Sequence, residues 1–193
     1  MKKVVTDLQV KDLKVLVRVD FNVPHKGAEI TDDNRIVAAI PTIAELVKKG
    51  AKVVLMSHLG KVAWKKLKKG EATMEDIEKQ MKKNDLSIAL DSLKKNLEAY
   101  LGHEVAVSFS KATRGAELKE HIDALKSGDV LLVQNTRYEA GEEKNDPELA
   151  KEWASYVDAF VMDAFGSAHR AHASTYGVPA ALKEAGKETA VGF

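Results

Sequence analysis

The sequence predicts an α/β fold: a parallel sheet covered by helices on both faces, in three layers. Three observations lead there. Five short runs rich in valine and other apolar residues recur along the chain, at residues 14–19, 52–57, 104–109, 129–134 and 158–163. They are mostly continuous rather than alternating, the pattern of strands buried on both faces. Stretches with helical spacing lie between them, and Gly-marked turns separate the two kinds of segment. Strand and helix in alternation build a parallel sheet with crossover helices.

The first run, "KVLVRV", ends at Val19 and is followed by "DFN". Next, "TDDNRIVAAI" offers polar N-cap candidates ahead of an apolar stripe, which predicts a helix over 33–49 that Gly50 terminates. "KVVLMS" is the second strand. The segment Lys61–Asn84 then breaks the rhythm; it is densely charged and reads as a solvated loop with one short helix. A helix is predicted over 86–100, and "LGHE" turns it into the third strand. Another follows over 115–125, and "KSGD" leads into the fourth strand, "DVLLVQ". "KNDPEL" supplies an Asp cap and a first-position Pro147 for a helix over 146–156, ahead of the fifth strand, "DAFVMD". The last stretch, "GVPAALKEAGKETAVGF", reads as a short helix and then a connector without a final strand, leading into something further. A three-layer, Rossmann-like domain is therefore expected over residues 1–177, with a charged insertion at about 61–84 and a connector beginning over 178–193.

Composition narrows the function. At 193 residues the chain suffices for one large domain or two small ones with a sizeable core. A net charge of +1 supplies no basic field, which argues against nucleic acid and anionic membrane surfaces as partners. With no cysteine there is no disulfide framework and no thiolate metal site, in keeping with a reducing compartment. The opening "MKKVVTDLQVKDLKVLV" has no signal-peptide core, and no apolar run reaches membrane-span length, so the cytoplasm is the expected location. Only five of the 30 basic residues are arginine: Arg18, Arg35, Arg114, Arg137 and Arg170. Lysine keeps such a surface hydrated, and arginine can be reserved for planar, bidentate contacts.

Ligands of open parallel sheets bind beyond the carboxyl ends of the strands, where strand-to-helix loops gather. Asp20, Phe21 and Asn22 follow the first strand; His58, Leu59, Gly60 and Lys61 follow the second; Asn135, Thr136, Arg137 and Tyr138 follow the fourth. The fifth leads into "DAFGSAHRAHAS", residues 163–174, where His169, Arg170 and His172 stand among Gly, Ala and Ser that allow close backbone approach. Four loops thus bring donors to one edge, with Arg137, Arg170, His58 and His169 suited to anions and Asp20 and Asn22 able to orient a hydroxyl or an arginine. A small phosphorylated hydroxy acid fits that set better than a nucleotide. His172 is read as structural, Arg18 as pairing with a neighbour inside the strand, and Arg114 as a surface residue. Asp163 stays open between bracing a loop and touching a ligand. No tight metal-ligand motif is present, and neither GxxxxGK(S/T) nor a GxGxxG after a strand supports nucleotide binding.

The segments "VLVRVDFNVP", "ITDDNRIVAAIPTI", "VVLMSHLGK", "GDVLLVQNTRYEAGEEKNDPELAK" and "VMDAFGSAHRAHAS", in this order, resemble phosphoglycerate kinases across nearly the whole chain except the charged insertion. The resemblance implies a two-domain glycolytic enzyme of which this chain is the N-terminal, substrate-binding half, and a monomer. Its ligand would be 3-phosphoglycerate or 1,3-bisphosphoglycerate. MgATP or MgADP would belong to a C-terminal domain absent here, so that no cofactor or metal is held by this chain and the half alone is inactive. It further implies substrate contacts at Asp20, Phe21 and Asn22, at His58, Leu59, Gly60 and Lys61, and at Arg137, His169 and Arg170, with Arg35 as the catalytic arginine. Lys61 stands where many members carry arginine, and Met162 replaces a common asparagine and is expected to face away from Asp163. A free-standing phospho-acid binding module is the competing reading of the same residues.

Overall fold

Valine and leucine at successive positions of a strand point to opposite faces, so a continuous apolar run demands cover on both sides. The computed structural model describes residues 3–193 and supplies that cover. In chain order the elements are β1 (Lys14–Arg18), the small hairpin β2 (His25–Lys26) and β3 (Glu29–Ile30), α1 (Asn34–Lys48), β4 (Lys52–Met56), α2 (Trp64–Lys68) and α3 (Met74–Lys83). There follow α4 (Leu90–Leu101), β5 (Val107–Ser110), α5 (Ala116–Asp123), β6 (Val130–Val133), α6 (Pro147–Ser155), β7 (Ala159–Met162), α7 (Val178–Glu184) and β8 (Glu188–Val191).

The sheet runs β5-β6-β4-β1-β7-β8, and every pairing in it is parallel. One face carries Val15, Val17, Val53, Leu55, Leu132 and Val161 and packs against Ile36, Ile40 and Ile43 of α1 and Leu93 and Leu97 of α4. The other face carries Leu16, Val54, Met56, Leu131 and Phe160 and meets Leu118 and Ile122 of α5, Leu149 and Trp153 of α6 and Leu182 of α7. Each such side chain, fully buried, favours the folded state by about 1.5–3 kcal/mol. The register pairs Arg18 with Met56 on one side and Met162 on the other, so β4, β1 and β7 end level and their following loops share one edge.

Local signals decide the helix ends. Asp146 caps α6 by accepting from the Glu148 N–H at 3.0 Å, with Pro147 at the first position, as predicted. α1 begins at Asn34, but its N-cap residue Asp33 makes no side-chain cap; its carboxylate accepts instead from Ser92 Oγ and Asn96 Nδ2 of α4.

Three sequence expectations change. Residues 188–191, read as connector, form a sixth strand parallel to β7, and Val191 also pairs with the N-terminal segment, its N–H donating to the Lys3 carbonyl at 2.9 Å. β8 is an edge strand with a half-exposed pattern, so it lacks the continuous apolar run that marks the inner four. The charged segment 61–84 holds two helices, not one, and α3 starts with a reciprocal cap between Thr73 and Asp76. The hairpin of β2 and β3 was unanticipated.

Just past β7, Asp163 faces α1: its Oδ1 accepts from Thr42 Oγ1 at 3.1 Å, while Met162 packs against the opposite face, as expected. Gly192 runs so close that a Cβ there would collide with the Asp163 carboxylate and the Thr42 hydroxyl. Asp163 is therefore a brace between α1, β7 and the end of β8. Burial pushes its carboxyl up to about 7 from 3.8, against the Thr42 hydrogen bond. Because the folded value lies above the unfolded one, the native state binds the proton more tightly, and the stability so gained is lost as pH rises through about 4 to 7. Asp163→Asn should raise the unfolding temperature at pH 8 and change it little at pH 4; an equal change at both pH values in thermal scans would contradict a buried, proton-holding carboxyl.

Candidate functional site

The edge where β1, β4, β6 and β7 end is built around a buried cation. Arg18 has no solvent exposure. Its Nε donates to Ser174 Oγ at 2.8 Å, Nη1 donates to the Val19 carbonyl, and Nη2 lies 2.8 Å from His58 Nδ1. A guanidinium has no acceptor, so the ring nitrogen accepts and the imidazole proton sits on Nε2. Ser174 in turn donates its hydroxyl to Glu142 Oε2 at 2.6 Å and its N–H to Oε1 at 2.7 Å, and Glu142 is itself buried. Burial, reinforced by Arg18, Arg137 and Arg170, pushes His58 down to about 2, so it is a neutral donor at any physiological pH.

A second buried group, Asn135, ties two of the loops together. Its Oδ1 accepts from the Leu59 N–H at 3.1 Å and the Arg137 N–H at 3.0 Å, while Nδ2 donates to the Leu59 carbonyl at 2.7 Å and the Asn84 carbonyl at 2.9 Å. All four hydrogen-bonding positions of the amide are filled. Gln134 extends the net, accepting from the N–H groups of Leu86 and Asn135 and donating to Asp85. The charged insertion completes it from outside: Trp64 Nε1 donates to the Arg137 carbonyl at 2.9 Å, and the Tyr138 hydroxyl donates to the Met81 carbonyl.

The expected site residues then separate by burial. Arg137, 7% exposed, lies against the Gly60 carbonyl, to which Nη1 donates at 2.7 Å. Gly60 itself takes φ +61°, and any Cβ there would strike the Asn84 side chain. Its N–H donates to Asn22 Oδ1 at 2.9 Å, so the loops after β1 and β4 are bonded to one another. Arg35, at the start of α1, is half-exposed and donates to the Asn22 carbonyl at 2.9 Å and to Asp20 Oδ1 at 3.3 Å. Lys61, His169 and Arg170 are exposed on the rim. Phe21 and Leu59 are sealed in the core instead of facing the edge, and their backbone N–H groups are held by Ser57 Oγ and Asn135 Oδ1. Their part is to anchor the loops.

The edge is thus cationic, with Arg18, Arg35, Arg137 and Arg170 from four different segments, while Asp20 and Glu142 are the anions that bear on Arg18. Among the described residues no group of three or more histidines and carboxylates converges in metal-ligand geometry. Sequence reasoning missed Glu142 and Ser174 and set Arg18 aside. A strand-end arginine in a lysine-rich chain was the one available signal for it.

A family model for phosphoglycerate kinase matches residues 5–191. The phosphoglycerate kinases of Listeria welshimeri and Staphylococcus saprophyticus are 50% and 48% identical to this chain over 196 residues, in each case covering all of it and 43% of the relative. Among solved structures, phosphoglycerate kinase from Coxiella burnetii matches with a TM-score of 0.76 at 33% identity, over the whole of this chain and 42% of the other. That from Pyrococcus horikoshii gives 0.68 at 26%, over 96% and 44%. The chain thus spans less than half the length of the relatives it matches.

Truncating Asn135 to alanine strands two buried N–H groups and two carbonyls, each costing about 1–3 kcal/mol if left unmet. With partial relaxation, Asn135→Ala should lose about 3–5 kcal/mol in urea unfolding. A loss below about 1 kcal/mol would show that the two loops are held by something else.

Proposed function

Because this chain belongs to the phosphoglycerate kinase family, we propose that its cationic edge binds 3-phosphoglycerate or 1,3-bisphosphoglycerate. One observation carries the reading: Arg35, His58, Arg137 and Arg170 come from four separate segments to one sheet edge, on which two of the cations crowd a neutral imidazole donor. Such a concentration of donors suits a small ligand carrying a phosphate and a carboxylate. Asp20 and Asn22 stand beside Arg35, where a hydroxyl or the arginine itself can be oriented.

In the reaction so assigned, a carboxylate oxygen of 3-phosphoglycerate attacks the γ-phosphorus of ATP as the bond to the β–γ bridging oxygen breaks and ADP leaves; the reverse reaction returns the phosphoryl group. An ionised carboxylate needs no general base, so catalysis rests on positioning and charge stabilisation. Arg35, half-exposed and held at the rim, is the group we assign to the developing charge on the transferred phosphoryl. We assign Arg137, Arg170 and the adjoining His169 and Lys61 to the substrate's phosphate and carboxylate. The nucleotide, with its magnesium, is assigned to the part of the longer relatives that lies outside this chain, since no loop here has a phosphate-cradling glycine motif. Turnover then requires that part to close over the edge and exclude water, in a cytosolic, monomeric enzyme; no described helix is long and apolar enough to cross a membrane.

Titration of this chain with 3-phosphoglycerate should saturate, whereas MgATP should not bind and a coupled kinase assay should register no turnover. Absence of 3-phosphoglycerate binding, or saturable MgATP binding, would overturn the assignment. Arg137→Ala and Arg170→Ala should each weaken 3-phosphoglycerate by roughly 1.5–3 kcal/mol in calorimetry, the scale of a charge-assisted hydrogen bond.

Arg35→Met, made in a full-length relative, should lower kcat far more than substrate affinity. Equal losses in kcat and affinity would place Arg35 in ground-state binding instead.

A further inference from the structure

The site contains a buried carboxylate that the proposed chemistry does not use. Glu142 lies in the turn between Tyr138 and α6, is 1% exposed, and makes no ion pair among the described residues. Its carboxylate bonds only the segment after β7: Oε1 accepts from the Ser174 N–H and Oε2 from the Ser174 hydroxyl, while its carbonyl accepts from the Ala173 N–H at 2.8 Å as well as from the Asn145 N–H of its own turn. Ser174 Oγ is committed in both directions, donating to Glu142 and accepting from Arg18 Nε. Arg18 passes the constraint on, because with Nε and Nη1 held by Ser174 and Val19, Nη2 is aimed at His58 Nδ1.

We propose that Glu142 is a positioning residue, acting through Ser174 and Arg18 to fix the His58 ring with Nδ1 as acceptor and its Nε2–H available to a ligand oxygen. The chain of contacts joins four segments, the turn before α6, the loop after β7, the end of β1 and the loop after β4, and each link has a fixed direction. A carboxylate can only accept, a guanidinium can only donate, and the serine hydroxyl between them must do one of each. Nε2 bonds no protein group among the described residues and is not sealed from solvent, which leaves it as the ring's open donor. The carboxylate has a second effect: its negative charge is the largest of the influences that oppose the desolvation of Arg18. A neutral amide in its place would lose that, and its NH2 would compete with Arg18 Nε for the serine oxygen.

The role of Glu142 rests on the substrate reading only for the ligand it serves, and the test separates the two. Nitrogen-resolved NMR of this chain at pH 7 should show a slowly exchanging Arg18 Nε–H and a single His58 tautomer protonated at Nε2. In Ser174→Ala and in Glu142→Gln, the Arg18 proton should exchange at least about tenfold faster, and each variant should bind 3-phosphoglycerate about three- to tenfold more weakly, the scale of one lost hydrogen bond. The double variant should lose no more than the worse single one, because both act on the same chain of contacts. Amide spectra establish that the variants fold; should either fail, the wild-type spectrum still decides. A proton on His58 Nδ1 in the wild type, an unchanged Arg18 signal in both variants, or additive losses would overturn the proposal. A wild type that shows the locked Arg18 and His58 signals but no 3-phosphoglycerate binding would sink the substrate assignment and leave the positioning role standing.

Discussion

A fully buried guanidinium at the end of a central strand is the constraint around which the polar half of this fold is organised. Desolvation lowers the Arg18 pKa and penalises its charged form, yet an arginine remains protonated in a protein. The charge must therefore be met by hydrogen bonds and a nearby anion. Strand β1 delivers the cation, the turn before α6 delivers Glu142, and the loop after β7 delivers Ser174 between them. Removing any one partner leaves a buried charge or hydroxyl unmatched, which explains why segments so far apart in sequence hold one arrangement at this edge.

The inner sheet was legible because burial on both faces leaves a compositional mark. β1, β4, β6 and β7 appear where continuous apolar runs stand, and α6 begins where Asp146 and Pro147 say it should. β8 was not legible for the converse reason. Lying at an edge, with one buried residue in four, it has no need of a continuous run, and what holds it is pairing to β7 and to the segment at Lys3. The insertion misled in another way. Its lysines do face solvent, but Trp64, Gln80 and Asn84 turn inward as hydrogen-bonding groups, and Ile77 is buried. Charge density described its outer surface alone.

The rim of the site was readable and its foundation was not. Position after a strand and residue type pick out His58, Arg137, His169 and Arg170, and the family resemblance adds Arg35. Gln134, Ser174 and Glu142 carry no such mark, and the bracing part of Asn135 is invisible in its position, since a buried amide or carboxylate is defined by its partners, and the partners that join separate segments are 32 to 156 positions away. Phe21 and Leu59 show the opposite error: flanked by site residues, they look functional, yet alternation along an extended segment turns their side chains into the core.

Burial also divides the cations into two kinds, with different consequences for an anion arriving at the edge. Lys61, His169 and Arg170 stand in solvent, where their attraction is screened over about 8–10 Å and each keeps its own hydration. Arg18, Arg137 and His58 have already lost theirs on folding, and the networks of Asn135 and Glu142 hold them where they are. Dipoles and charges fixed in advance need no reorganisation, so on the proposed reading these buried groups are the ones that set the ligand's position. The exposed ones gain strength only as water leaves. Arg35 belongs to that second group, half-exposed on the first turn of α1 and held by the Asn22 carbonyl and Asp20. Two turns along the same helix, Thr42 bonds Asp163 and accepts from the Phe193 N–H. One helix, α1, thus connects the arginine assigned to the chemistry with the segment that follows β8.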